Sequence, residues 1–326
     1  MALSPIAPAG RKTRDTTATT VLVLRALGLG DLLTGVPALR GLRRACPGAH
    51  IVLATRADLA PLALFSGAVD EVLPTSGLGQ LHWDRPPPDL AVNLHGTGPE
   101  SIGDLLTSAP KAMITHRNPG YPQLGGPPWR DELHEVDRWC ALLGAARIDC
   151  DPEDLALERP EGYPEHRGVV VVHPGAAYPS RRWPADRFAA VAAALRAAGR
   201  RVVITGSAAE QPLATSVAER AGLDETAVLA GQLDALGMVA LITDCRLLIC
   251  GDTGVGHIAT ATGTPSVLLF GPTPPSRWGP RGAGPHLTVW AGDRGDPHGD
   301  QPHPGLLLIT TSRVLRACRQ LLPDCA

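Results

Sequence analysis

Short apolar runs alternate with longer stretches in which alanine, leucine and arginine recur at helical spacing along most of the chain. Continuous apolar runs are typical of strands buried on both faces, and the stretches between them are typical of amphipathic helices. The alternation therefore predicts an α/β protein with doubly wound parallel sheets. It occurs twice, on either side of a polar stretch, 151–167, that contains Pro152, Pro160 and Pro164.

Each half of this pattern predicts a Rossmann-like domain. Strands are predicted at 21–24, 51–54, 69–73, 90–94, 112–115, 169–172, 201–205, 227–229, 247–249 and 266–270. Helices are predicted at 32–46, 131–143, 185–198, 210–221 and 311–322, and an exposed loop at 292–305. The predicted parts are a disordered tail (1–19), an N-terminal domain (20–150), a linker (151–167), a C-terminal domain (168–310) and a terminal helix (311–326). Two such domains face a central cleft, where ligands bind at the carboxyl ends of the strands.

The clearest local signal lies at 250–280, where an apolar run ends in Gly251, Asp252, Thr253 and Gly254 and a helical pattern follows. The first N–H groups of a helix lack internal partners and carry partial positive charge, so this point favours a phosphate. The Thr253 hydroxyl is a further donor. The alternative is that Asp252 or Thr253 only caps the helix.

A second strand-end loop, 25–31, carries Gly28, Gly30 and Asp31. Leu33 stands where a dinucleotide-binding G-x-G-x-x-G fingerprint requires its third glycine, so that fingerprint fails. At the start of a helix facing the cleft, the Asp31 carboxylate has two interpretations. It accepts a proton from an incoming hydroxyl group, or it caps the helix.

Two further loops of the C-terminal half carry polar candidates. In the loop 173–184, Arg181 and Arg182 concentrate positive charge before a helix, and Gly175 lets the backbone approach a ligand. The alternative is a solvated arginine pair anchored by a buried Trp183. In the loop 205–210, Gly206 precedes Glu210, which either binds a ribose or complements a helix dipole.

Composition narrows the function classes. Basic and acidic residues nearly balance, at 30 and 32, and no Lys/Arg block occurs, which excludes nucleic acid as an expected partner. The seven cysteines are scattered and form no C-x-x-C pair, which argues against a disulfide framework or a zinc site. No signal peptide or membrane-spanning run is legible, so we expect a cytoplasmic protein. Peripheral membrane association stays open, as does the oligomeric state.

Three motifs in order carry a family resemblance. They read V-L-V-L-R-A-L-G-L-G-D-L-L-T-G-V-P-A-L-R, then H-P-G-A with S-R-R-W-P-A-D-R-F, then D-T-G-V-G-H-I-A with G-T-P-S-V-L-L-F-G-P-T. Together they resemble glycosyltransferase family nine, the heptosyltransferases, over about 20–322. The resemblance implies the GT-B fold, with a terminal helix that crosses back to the N-terminal domain. It also implies inverting transfer from a nucleotide-diphospho-sugar, most simply ADP-heptose, to a hydroxyl of a lipopolysaccharide core, another glycan or a natural product.

The resemblance also implies residue roles. Asp31 matches the general base, and Arg181 stands where the family usually has lysine, beside the departing diphosphate. Thr253 and the neighbouring amides would bind the phosphates, and Glu210 would bind the ribose. Asp252 and His257 would organise the loop or contact the sugar.

No divalent metal or other cofactor is expected, since Asp149-Cys150-Asp151, the single D-x-D, lies at the linker boundary and is interpreted as surface. A nucleotide-sugar epimerase and a non-catalytic sugar-nucleotide-binding protein remain alternatives.

Overall fold

The computed structural model describes residues 19–322. The predicted tail lies outside the described residues except for Thr19, and so does the end of the chain from residue 323. Within the described part, no helix is both long enough and apolar enough to span a membrane.

The N-terminal domain is a five-stranded parallel sheet in the order β3-β2-β1-β4-β5. Its strands are β1 (Thr20–Leu24), β2 (His50–Thr55), β3 (Glu71–Pro74), β4 (Leu90–Asn93) and β5 (Met113–Ile114). Its helices are α1 (Leu29–Ala45), α2 (Ala60–Phe65), α3 (Pro99–Thr107) and α4 (Glu135–Ala145). The central strand β1 pairs in parallel with β2 on one side and β4 on the other, so its carboxyl end opens at the middle of the sheet edge.

The C-terminal domain repeats the design, with strand order β10-β9-β8-β6-β7. Its strands are β6 (Val170–His173), β7 (Val202–Ile204), β8 (Leu247–Gly251), β9 (Ser266–Phe270) and β10 (His286–Trp290). Its helices are α5 (Ala185–Ala197), α6 (Gln211–Ala221), α7 (Ala235–Asp244), α8 (Gly254–Thr262), α9 (Pro275–Trp278), α10 (Pro304–Leu307) and α11 (Thr311–Leu321). The central strand β8 leads directly into α8, as the sequence predicts.

Some elements differ from the prediction. The strand expected at 227–229 is wrong, because Glu225–Ala227 is a 3₁₀ turn and Val228 forms only one isolated bridge, to Ile204. Helices α2, α3, α7, α9 and α10 and strand β10 are not in the prediction. β10 is an edge strand whose side chains are mostly half-buried, so it lacks a continuous apolar run.

The hydrophobic core is continuous between the two domains. One cluster joins Leu32 and Leu33 of α1 to Val255 and Ile258 of α8, and it extends under both sheets. Separate clusters cover the outer faces of the C-terminal and N-terminal sheets. The contact between α1 and α8 therefore fixes how the two strand-end edges face each other.

The terminal helix α11 is a correction to the prediction. Val314, Cys318 and the following Leu322 lie in the outer core cluster of the C-terminal domain, and the main contacts of α11 are with α5, β9 and β10. Its apolar stripe completes the cover of its own sheet, so the expectation that it crosses back to the N-terminal domain is wrong.

Candidate active site

A cavity of about 1050 Å³ lies between the two domains at the carboxyl ends of both sheets. Its walls come from the loops after β1 and β4 on one side and from the loops after β6, β7, β8 and β9 on the other. Most of the predicted site residues line it, namely Asp31, Arg181, Gly206, Glu210, Asp252, Thr253, Gly254 and His257. The fold thus brings residues far apart in sequence to one cleft.

The first turn of α8 opens into this cavity without a side-chain cap. Thr253 is the N-cap residue, in an extended conformation, but its hydroxyl makes no capping hydrogen bond. The capping alternative for Thr253 is therefore wrong. Because the first amides of a helix have no internal partner, the start of α8 presents N–H donors and partial positive charge to the cavity.

The starts of α1 and α8 approach each other at backbone distance. A Cβ placed on Gly254 would lie 2.9 Å from the backbone nitrogen of Gly30 and 2.8 Å from the Cβ of Leu29. A Cβ placed on Gly30 would lie 2.9 Å from Cδ2 of His257. These glycines therefore let two helix N-termini from different domains meet, a requirement that the sequence pattern does not show.

Asp31 is the third residue of α1, and the structure confirms its interpretation as a helix cap. Its Oδ2 accepts a hydrogen bond from the backbone N–H of Gly28 at 3.1 Å, which caps the helix. Its Oδ1 lies 3.9 Å from Nη2 of Arg25, and the side chain keeps 28% exposure. Burial raises the pKa of Asp31, and the charge of Arg25 opposes that increase. A carboxylate with a raised pKa is a stronger base than an ordinary aspartate.

A buried arginine supports this carboxylate from below. Arg25 is completely buried, and its Nε donates to the backbone oxygen of Asp31 at 2.5 Å. Its Nη2 lies 3.3 Å from Oε1 of Glu135 on α4, and its guanidinium lies 4.8 Å from the ring of Trp139. This role of Arg25 is not in the sequence-based prediction. The available signal was an arginine directly after a buried apolar strand.

Arg181 and Asp252 lie together on the C-terminal wall. Arg181 ends a 3₁₀ turn, Pro179–Arg181, and its buried Nε has no partner among the described residues. Burial raises the pKa of Asp252 to about 6, while the charge of Arg181 and the hydroxyl of Thr273 oppose the increase. The nearby charge of Asp31 adds to it. The guanidinium group of Arg181 therefore gives this part of the cavity a positive charge that suits an anionic ligand.

Glu210 is held by a capping box. Its Oε2 accepts hydrogen bonds from the backbone N–H of Ser207 at 2.8 Å and from the Ser207 hydroxyl at 2.9 Å. The interpretation of Glu210 as a helix-start charge is therefore confirmed. The residue also lines the cavity beside Gly206, so a ligand contact remains compatible with the cap.

Three predicted features lie away from the cavity lining. Gly175 makes room for the carboxylate of Glu210, since a Cβ there would lie 2.1 Å from Oε1. Arg182 donates through Nε to the backbone oxygen of Ala176 at 2.8 Å and so closes its own loop. Their predicted contacts with the donor stay predictions. The segment 149–151 also lies outside the lining, and the described residues contain no group of three or more His, Cys, Asp or Glu side chains suited to hold a metal ion.

The neighbouring Trp183 is buried, and its Nε1 donates to the backbone oxygen of Ile309 at 3.0 Å. The anchor role in the alternative interpretation of the 173–184 loop is therefore confirmed, although Arg181 itself faces the cavity.

Burial lowers the pKa of His257 to about 4, so its imidazole is neutral at pH 7. Its ring meets the ring of Trp278 edge to face at 5.8 Å between centroids. The predicted exposed loop contributes as well, because His298 lines the cavity and its ring lies 4.7 Å from that of Tyr178. Further lining residues that were not predicted from the sequence are His95, Trp129, Arg138, Trp139, Tyr178, Arg277, Trp278 and His298.

Two facing Rossmann-like domains, with the start of α8 and Arg181 on one wall of the cavity and the Asp31 carboxylate on the other, define a protein of the GT-B class. The model of glycosyltransferase family 9 (heptosyltransferase) matches residues 128–293, about half of the chain, and the chain belongs to this family.

Relatives agree with this assignment. The chain is 33% identical over 175 residues to lipooligosaccharide heptosyltransferase 2 of Haemophilus ducreyi, a match that covers 48% of this chain and 49% of that protein. The match to this relative therefore spans about half of the relative's length. The chain is also 27% identical to lipopolysaccharide heptosyltransferase 1 of Pseudomonas aeruginosa, over 80% of this chain and 81% of that protein.

A solved structure confirms the fold. The structure of E. coli ADP-heptose lps heptosyltransferase II superposes with a TM-score of 0.75 at 24% sequence identity, covering 94% of this chain and 99% of that one.

Proposed function

We propose that this protein transfers heptose from ADP-heptose to a hydroxyl group of a lipopolysaccharide core or a related glycan, with inversion and without a divalent metal. The donor and acceptor class come from what the relatives are named for. The observation that carries the proposal is the meeting of the starts of α1 and α8, because it places the Asp31 carboxylate and the anion-binding wall in one cavity.

Asp31 is the proposed general base. The acceptor O–H gives its proton to Asp31 while the acceptor oxygen forms a bond to the anomeric carbon. The bond from that carbon to the diphosphate oxygen breaks in the same displacement, and its electron pair leaves with the nucleoside diphosphate. Attack on the face opposite the leaving group inverts the anomeric configuration. The raised pKa of Asp31 favours the proton transfer.

The leaving diphosphate is proposed to lie at the start of α8. Negative charge grows on it as the bond breaks, and the free amides of the first turn stabilise that charge. Arg181 adds a full positive charge with an unpartnered N–H. We propose that these groups do the work that a divalent cation does in other transferases.

The remaining groups are assigned to the two ends of the donor. Asp252 is buried close to Arg181 and is proposed to accept a hydrogen bond from the sugar, with neutral His257 beside it. Glu210 is proposed to contact the ribose with the oxygen that its capping box leaves free. Met238 lies in the same wall and offers an apolar surface for the base.

The test incubates the purified protein with ADP-heptose and lipopolysaccharide from heptose-deficient cells. We expect ADP release and a mass gain of one heptose on the acceptor. Asp31→Asn should lower kcat by about 10²- to 10⁴-fold, the range typical of a lost general base, with little change in the Kd of ADP-heptose. Asp186→Asn is the matched control, because Asp186 is also an aspartate in a first helical turn, exposed on α5 and outside the cavity lining.

Other outcomes would select the alternatives. Isomerisation of the nucleotide-sugar in the absence of an acceptor would support an epimerase. Tight binding of a nucleotide-sugar with no turnover on any acceptor would support a binding protein. Wild-type turnover by Asp31→Asn would remove Asp31 as the base.

A further inference from the structure

Two free cysteines meet where the N-terminal domain passes into the linker. Cys140 is buried in α4, and Cys150 is half-buried in the irregular segment that follows. Arg147, between them, has a φ of 63°, the left-handed conformation that turns a chain back at the end of a helix. The backbone N–H of Ile148 donates to the carbonyl oxygen of Leu143 at 3.0 Å. This reversal brings Cys150 back alongside α4, where its thiol forms a hydrogen bond with the thiol of Cys140.

The sulfur of Cys150 occupies a space that the fold leaves for it. Gly41 of α1 faces this sulfur, and a Cβ placed on Gly41 would collide with it and lie 3.3 Å from the Cβ of Cys150. The same Cβ would lie 3.0 Å from the backbone oxygen of Asp149. Because α1 packs against α4, the sulfur is confined between these two helices. The packing of α1 and α4 therefore keeps the two thiols in contact.

The two thiols differ in acidity. The pKa of the Cys150 thiol is lowered, because Cys140 donates a hydrogen bond to it and the positive charge of Arg44 lies near, although burial and the charge of Asp149 oppose this. The pKa of the Cys140 thiol is raised by the same hydrogen bond and by burial. Cys150 is therefore the thiolate of the pair and Cys140 its proton donor. A thiolate beside a second thiol is the arrangement of a nucleophilic cysteine and its resolving partner.

Neither thiol takes part in the proposed transfer. Trp139 lines the cavity, but the lining contains neither Cys140 nor Cys150. A packing role alone predicts two inert thiols, because buried structural cysteines do not react. The lowered pKa and the partial exposure of Cys150 instead favour its reaction with an oxidant.

We propose that Cys140 and Cys150 are a redox modification site, at which hydrogen peroxide produces a reversible disulfide. The Cys150 thiolate attacks one peroxide oxygen, the O–O bond breaks, and the hydroxide that leaves takes a proton from solvent to give water. The sulfur of Cys140 then attacks the sulfur of the resulting sulfenic acid. The S–O bond breaks, and the second hydroxide leaves as water with the proton of the Cys140 thiol. Two thiols thus lose two electrons, and peroxide is reduced to two molecules of water.

The disulfide joins α4 to the start of the linker. A sulfur–sulfur bond is about 2.05 Å long, so the thiols must move closer than hydrogen-bond distance. The segment 149–151 lies outside the helices and strands and has room to adjust. Further along, Asp154 pairs with Arg40 of α1, and the N–H of Leu157 donates to the backbone oxygen of Ala261 in α8 at 2.9 Å. The bond therefore forms beside a segment that contacts both domains.

The experiment treats the full folded chain with a small excess of hydrogen peroxide and follows its mass. We expect most of the protein to lose about 2 Da, the mass of two hydrogen atoms, and to regain it with dithiothreitol. Trypsin cleaves after Arg147, between the two cysteines, so a digest places them in separate peptides, 139–147 and 148–167. A cross-linked species of these two peptides, found only without reduction, identifies the pair.

The variants separate the two roles. Cys140→Ser should form no disulfide and should leave Cys150 as a sulfenic acid that dimedone traps. Cys150→Ser should give neither the disulfide nor a trapped product at Cys140. Cys46→Ser is the matched control, because Cys46 is also a half-buried free thiol, and its disulfide should form within about 2-fold of the wild-type rate. Thermal unfolding of each variant shows that it is folded.

Either of two results would overturn the inference. One is that peroxide leaves the folded wild-type protein without the cross-link between 139–147 and 148–167. The other is that Cys140 in Cys150→Ser reacts with peroxide as fast as Cys150 does in Cys140→Ser, as expected of two equivalent thiols. Because these measurements need neither ADP-heptose nor an acceptor, their outcome is independent of the proposed function.

Discussion

The close approach of the starts of α1 and α8 predicts that Gly254→Ala separates activity from stability. The added Cβ would lie 2.9 Å from the backbone nitrogen of Gly30, whereas ordinary contact begins at 3.4 Å. The overlap is thus about 0.5 Å, and the second close atom is Cβ of Leu29 at 2.8 Å. Neither atom belongs to the end of a flexible side chain. The two helix starts must therefore move apart by about 0.5 to 1 Å, a scale set by backbone sterics.

That displacement acts directly on the reacting groups. It moves Asp31 away from the start of α8, and a misplacement of about 1 Å can lower a rate by roughly 10²-fold. We expect kcat to fall about 10- to 100-fold. The free energy of unfolding should change by no more than about 1 kcal/mol, because alanine is a better helix former than glycine. Heptose transfer assays and urea unfolding measure the two quantities.

Gly256→Ala is the matched control in the same helix. Its Cβ would meet Cδ2 of Leu268 at 3.2 Å, the end of a side chain that can adjust, and it would face the core of its own domain. We expect its kcat to stay within about 3-fold of wild type, since the catalytic geometry is unchanged. Wild-type activity in Gly254→Ala, or an equal loss in both variants, would refute the argument from backbone contact.

Three further predictions follow from the charged groups of the cleft. Arg181→Gln should weaken ADP-heptose binding by about 10- to 100-fold, the usual scale for a lost charge-assisted contact, whereas Arg182→Gln should change the calorimetric Kd less than about 2-fold. The pKa of Asp252 is about 6 in the folded protein against 3.8, so the folded state binds more protons at this group between these values. The contribution of Asp252 to stability is therefore highest below about pH 4, falls as the pH rises to about 6, and then stays level. At 1.36 kcal/mol per pKa unit, this fall in the free energy of unfolding amounts to roughly 3 kcal/mol. Asp252→Asn should remove it, and unfolding curves of both proteins from pH 4 to 7 measure the difference. Arg25→Met should destabilise the protein by about 3 to 5 kcal/mol in urea, because it breaks a buried ion pair of Glu135, which keeps only Arg138, and leaves the backbone oxygen of Asp31 without its buried donor.

Much of the fold was predictable because parallel strands buried on both faces are continuous apolar runs. β1, β6, β8 and β9 are fully or almost fully buried along their length, and each was recognised within one or two residues. β10 escaped because only Val289 in it is buried. α11 was recognised as a helix but assigned to the wrong domain, since its apolar stripe does not reveal which sheet it covers.

Some residues of the site were predictable from the sequence and others were not. Residues that follow a strand in an uninterrupted loop, such as Asp31 and Thr253, were found because a strand end and a helix start are both legible in sequence. Gly175 and Arg182 stand in an equally legible loop, but Gly175 leaves room for Glu210 and Arg182 bonds to the backbone of its own loop. The direction of a side chain within a loop depends on the contacts it makes, and a sequence pattern does not contain them.

The sequence by itself determined two doubly wound domains, the strand that leads into α8, and the family to which these motifs belong. Only the tertiary structure decided that Gly30 and Gly254 touch and that Arg25 lies buried beneath Asp31. The physical reason is how far apart the interacting residues lie along the chain. Apolar periodicity and helix starts arise between residues close in the chain, whereas a cleft between two domains is made by residues more than a hundred positions apart, whose distances are set when α1 packs on α8.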